Sequence, residues 1–108
     1  MAEPLAYFWD RAGDLLDHEA ITKGTMMGFP CLRTHGDFFA SMEPKTGDLV
    51  VKLSADRVLE LIAEGVGHEF RPAGRRFKEW VLVTGRDDRV WEELLVESLN
   101  FVDRSKGR

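Results

Sequence analysis

Two turn signals, "HGD" at 35–37 and "EPKTGD" at 43–48, decide most of what this chain can become. Each separates short apolar runs, and connections this short join antiparallel neighbours, because a parallel return needs a dozen residues or more. The stretch "TMMGFPCLRTHG" is short of helix formers and interrupted by Gly28 and Pro30. It reads as one irregular strand bounded by Gly36. "FFASM" and "LVVKL" follow, the latter with Leu49, Val51 and Leu53 on one face and Val50 and Lys52 on the other. The prediction is a three-stranded meander.

Helical periodicity brackets it. "EPLAYFWDRAGDLLDHEA" repeats apolar residues at helical spacing and predicts a helix over 3–20. "SADRVLELIAEG" carries an N-cap in Ser54, an acid in the first turn, an apolar face of Val58, Leu59, Leu61 and Ile62, and Gly65 as a stop. "HEF" and "FKEWVLV" (77–83) read as two more strands around a basic turn. A last helix lines up Trp91, Leu94, Leu95, Leu99 and Val102. The order α-β-β-β-α-β-β-α predicts an α+β fold, an antiparallel sheet with helices mainly on one face. Residues 77–83 are apolar on both sides, so their second face needs a cover: the final helix folded back, or a twin subunit.

At 108 residues, with no linker, repeat or low-complexity segment, 1–108 is a single domain able to bury a core. No apolar run is long enough for a membrane span and no signal-peptide pattern opens the chain, so the expectation is a cytoplasmic protein without membrane contact. Cys31 is the only cysteine, which rules out an internal disulfide and a thiolate metal cage.

Four stretches, "MMGFPCLRTHGDFFA", "LVVKLSADRVLELIAEG", "GRRFKEWVLV" and "WEELLVESLNFV", together resemble the N-terminal domain of the competence regulator TfoX (Sxy) and, more distantly, YjbR/MmcQ-like proteins. The resemblance covers about 24–102 and lies in the ordered set. It comprises a Met-x-Gly strand start, a Gly-x-x-Phe-Ala turn, a Leu-x-x-Lys-Leu strand and helix, a Gly-Arg-x-x-x-Glu-Trp hairpin, and a closing helix with a Trp near its start. It implies a secretion-chaperone-like fold in the order read above, and a setting in transcriptional or competence-type regulation.

Little in the chain gathers for chemistry. His18, His35 and His68 stand on different predicted elements without paired spacing. Cys31 reads as a small half-buried strand residue; Arg33 and His35 share its face, which leaves a nucleophile reading open. Asp87 and Asp88 read as a helix N-cap pair, and Glu92, Glu93 and Glu97 as a solvated face. Glu79 sits inside an apolar strand and, if buried, needs an arginine; Arg33, Arg71, Arg75 or Arg76 could supply a structural ion pair, with Arg33 the candidate carried forward. "GVG" at 65–67 closes a helix, the wrong polarity for a phosphate loop, so no cofactor or metal is expected.

The stretch "RPAGRRFKEW" (71–80) holds Arg71, Arg75, Arg76, Lys78 and Trp80. It carries +4 through residue 78 in a chain of net −4, so the remainder sums to −8. A body that acidic repels phosphate and disfavours general nucleic-acid binding. Three readings stand: a solvated turn whose arginines pair with surrounding acids, a protein-recognition edge anchored by Trp80 and the arginines, or a hairpin laid on phosphates. The expected function is a non-catalytic module for protein–protein contact or self-association, as in a homodimer. The alternative is a nucleic-acid-associated regulator using the same hairpin.

Overall fold

The computed structural model describes residues 3–26, 28–71 and 74–106. Helix α1 (Glu3–Arg11) and a 3-10 turn (Leu15–Asp17) lead into four successive strands, β1 (Ile21–Met26), β2 (Phe29–Thr34), β3 (Asp37–Met42) and β4 (Leu49–Lys52). Helix α2 (Ala55–Ala63), strands β5 (Gly67–Glu69) and β6 (Trp80–Val83), and helix α3 (Asp88–Lys106) complete the order. The strands form one antiparallel sheet, β1-β2-β3-β4-β6-β5. The fold is α+β, with the three helices packed on one sheet face. There Leu32, Phe39, Val51 and Val81 meet Phe8 of α1, Val58 and Leu61 of α2, and Trp91 and Leu95 of α3.

Three elements differ from the sequence expectation. The predicted single strand is a hairpin, β1 and β2, in which Met26 pairs with Phe29 and Thr25 with Pro30. Gly28, at φ +84°, belongs to its turn; Met27, beside it, lies outside the described residues. Pro30 is tolerated because it stands one residue outside the ladder to β3, where its carbonyl accepts the Ser41 hydroxyl at 2.8 Å. The first helix stops at Arg11, well short of residue 20. Gly13 and Asp14 are poor interior residues, and the Gly13 amide bonds back three residues to Asp10 at 3.2 Å, tightening the chain into the 3-10 turn. The expected strand 77–83 is regular only over Trp80–Val83, because the Phe77 amide bonds the Phe70 carbonyl and Trp80 bonds Phe77 in a turn.

The expected turn at 35–37 and the expected helix caps are present, while Leu59 and Glu97 depart from their expected places. His35 (φ 50°) and Gly36 (φ 87°) are both left-handed, the turn geometry that matches strand twist. Ser54 caps α2 by accepting the Arg57 amide at 3.2 Å, and Asp87 caps α3 by accepting that of Val90 at 3.1 Å. On α2 Val58 and Leu61 are buried while Leu59 turns to solvent. Glu97 is not a solvated acid: Arg57 grips both its oxygens, at 2.8 and 3.3 Å, tying α2 to α3.

Helix α1 is clamped to α3 by Arg11, which reaches Glu92 at 2.6 Å and Asp88 at 3.2 Å, and by the Tyr7 hydroxyl, which donates to Asp88. Burial, then the bond to Asp88, pushes the Tyr7 phenol up to about 12. Because the folded value is raised, its contribution is whole below the free phenol's pKa of about 10 and is lost as pH climbs toward the folded value. Tyr7 is the chain's one tyrosine. Tyrosinate absorbance should therefore rise as a single late step, and Asp88→Asn should move its midpoint back toward the free value.

The final helix packs on the first sheet face with the other helices and does not fold back over the second. Cys31, Ser41 and Val50 lie on it fully buried. Phe29 begins β2 and Phe70 follows β5, at diagonally opposite corners of the sheet, yet their ring centroids stand 6.4 Å apart. A strongly twisted sheet brings two such corners forward on one face. Phe77 adds a third ring, 6.0 Å from Phe70. The chain itself thus brings three rings together on this face, Phe29, Phe70 and, from the basic stretch, Phe77.

Candidate binding site

Folding back over the sheet separates the residues grouped at 71–80. Arg71 and Arg76 both turn onto Glu69 at the end of β5, at 2.9 and 3.2 Å. The Arg71 bond holds the Glu69 carboxyl below its ordinary range, with the charges of Arg71 and Arg76 adding to it. Arg75 lies over the Phe77 ring, 5.5 Å from its centroid. Lys78 is exposed, and Pro72 and Ala73 lie outside the described residues. Two of the four cations are therefore matched within the protein. Glu69 was the missed residue, legible only as an acid on the predicted strand "HEF", two positions before Arg71 of the basic turn.

Trp80 is not part of this group. It opens β6, pairs with Lys52 of β4, and faces an open cleft at the end of the sheet. Phe38 and Phe101 share that cleft, with Lys52, Glu79 and Asp37 as its charged residues, and its volume is about 660 Å³.

The Glu79–Arg33 ion pair is not formed. Glu79 is exposed, in the turn before β6, where only its backbone is used: its carbonyl accepts the Leu53 amide at 2.9 Å. It escapes burial because the strand begins one residue later. Arg33 instead lies flat between β1 and β3, over Gly24 and 5.5 Å from the Phe38 centroid. A Cβ on Gly24 would fall 2.8 Å from its guanidinium, so a larger residue there would push the arginine aside. Its Nε is buried without a hydrogen bond.

Cys31 sits at the centre of the covered face, free and fully buried. Burial pushes its thiol up, with Arg33 pulling weakly the other way. That is the reverse of what an activated nucleophile needs. His18, His35 and His68 are all exposed and on separate elements; His68 approaches Thr84 Oγ1 at 3.4 Å. Among the described residues no group of three or more His, Cys, Asp or Glu side chains is placed to hold a metal, and no helix is long and apolar enough to cross a membrane. Comparison with protein-family models, curated proteins and solved structures finds no match to this chain.

Proposed function

We propose that this chain is a small cytoplasmic binding module that works without turnover, presenting the segment 71–79 to a second copy of itself or to a protein partner. The observation that carries the reading is Phe77. It is 37% exposed at the rim of the folded-back segment, braced by Phe70 and flanked by Arg75. An aromatic ring with an arginine stacked on it is the kind of pair on which protein interfaces concentrate their binding energy. The motif likeness to TfoX N-terminal domains supports a regulatory setting for such a contact.

One observation favours a second reading, contact with nucleic acid. Arg75 and Lys78 are exposed and have no ion pair among the described residues. Two such cations support a slope of log K against log salt of only about −2. The acidic remainder of the chain opposes this reading.

Sedimentation velocity over a concentration series tests the first reading. A dimer mass for the wild type and a monomer for Arg75→Glu, Phe77→Ser supports self-association through this segment. A monomer at every concentration removes it, and duplex DNA binding with the stated slope would put the second reading first.

A further inference from the structure

The cleft beside Trp80 takes only Glu79 from the segment 71–79 and does not include Phe77 or Arg75, and its composition points to a ligand. Three aromatic side chains, Phe38, Trp80 and Phe101, line one open cavity of about 660 Å³, a volume in the range of small-molecule sites. Aromatic walls take flat rings by stacking. Lys52, Glu79 and Asp37 line the same space, and the Lys52 ammonium and Glu79 carboxylate form no ion pair with each other or with any other described residue. Opposite charges left unpaired in one cleft suit a ligand that carries both kinds of group and holds them apart. A free amino acid joins its two charges on one carbon. A nucleotide separates them, with donor groups on the base at one end and phosphate at the other, joined by a planar ring and a sugar.

We propose that this cleft binds a nucleobase bearing an amino group, together with its phosphate. The ring stacks on Trp80 and Phe38, the Glu79 carboxylate accepts from the exocyclic amine, and the Lys52 ammonium holds the phosphate. The site does not depend on association through Phe77 and stands if that reading fails. The same chemistry is offered by a free nucleotide and by one unit of a single strand.

Isothermal titration with adenosine monophosphate, adenosine and ribose 5-phosphate tests the assignment, with Lys52→Gln and Glu79→Gln alongside and circular dichroism as the check on folding. Lys52→Gln should weaken the monophosphate about tenfold and leave adenosine unchanged. Glu79→Gln should weaken the monophosphate and adenosine alike, by about the same factor, and leave ribose 5-phosphate unchanged. Oligoadenylate supplies the last arm. Binding tighter than its length accounts for identifies a strand as the source, and equal affinity per base identifies the free nucleotide. The proposal is overturned by no saturable heat up to about 10 mM adenosine monophosphate, or by an affinity that neither folded variant changes.

Discussion

Phe70→Ala should cost about 3 kcal/mol of stability and expose Cys31 to solution thiol reagents. Phe70 is 9% exposed, so the estimate is set at the low end of what removing a buried phenylalanine costs. The effect reaches beyond one cavity, because Phe70 joins the two corners of the sheet by meeting Phe29 on one side and Phe77 on the other. Without it the segment 71–79 loses its anchor, and Cys31, Ser41 and Val50 lose their cover. A loss of that size corresponds to roughly a hundredfold rise in the open population, and the rate of Cys31 labelling should rise by the same factor. Leu59→Ala, at an exposed position on α2, serves as the control and should leave the rate unchanged. Labelling of the wild type should not depend on protein concentration, as it would if a second subunit covered the face. An unchanged rate in Phe70→Ala would show that something other than this segment seals the sheet.

What could be read in advance follows from which signals are local. α2 and α3 were legible because an apolar stripe at helical spacing coincides with a side-chain cap at each start, Ser54 and Asp87. The turn at His35 and Gly36 was legible because glycine marks the left-handed backbone. Gly28 carries the same mark but lies in a stretch where a proline follows two residues later. Two breakers close together look like one damaged strand, and only the pairing of Thr25 with Pro30 reveals a hairpin.

The segment 77–83 shows a deeper limit. Alternating apolar residues look alike whether they face two layers of a sheet or anchor a loop. Phe77 is apolar because it packs on Phe70 after the chain has doubled back, and nothing within the stretch itself records that. The same reversal explains Glu79, placed inside a strand by its apolar neighbours when the turn keeps it at the surface. It also explains the cations, since Arg71 and Arg76 meet Glu69 only because the chain folds back toward it. Local charge counting gave four positive groups without saying which are paired; the fold pairs two with Glu69 and leaves Arg75 and Lys78 without an ion pair among the described residues.

This arrangement ties stability to the candidate interface. The helices cover one face of the sheet, and the rings of Phe29, Phe70 and Phe77 gather on the other, where Cys31 is buried. Phe77 and Arg75 are presented on a segment anchored by the Phe77 ring and amide on Phe70. A partner that grips Phe77 would therefore meet a preformed surface and avoid most of the entropy cost of ordering a free loop.

Ser98→Ala should lower stability by about 3 kcal/mol, a large effect for the loss of one oxygen. The cause lies in the sheet. Leu32 pairs with Ala40 and Arg33 with Phe38, so Phe39 is an extra residue, a bulge that turns both Phe39 and Ala40 toward the core. The ladder between β3 and β4 stops at Ala40 and Val51 for that reason. One residue on, the Leu53 amide bonds Glu79 on the β6 side, so the N–H and carbonyl of Lys52 point at β3, where the bulge has removed their partners. Ser98, fully buried on α3, fills the gap. Its Oγ accepts the Lys52 amide at 3.2 Å and lies 2.7 Å from the Lys52 carbonyl and 2.5 Å from that of Phe39, donating its one proton between them. Alanine leaves a buried amide and at least one carbonyl without partners, and each such group costs about 1–3 kcal/mol. Thermal unfolding should shift down by roughly 15 °C in a domain of this size. Ser41→Ala gives the comparison, because the Ser41 hydroxyl bonds only the Pro30 carbonyl and its removal should cost about 1 kcal/mol. Equal losses in the two variants would mean that the amide and carbonyl of the bulge find water when Ser98 is gone, and that the helix is not what completes the sheet.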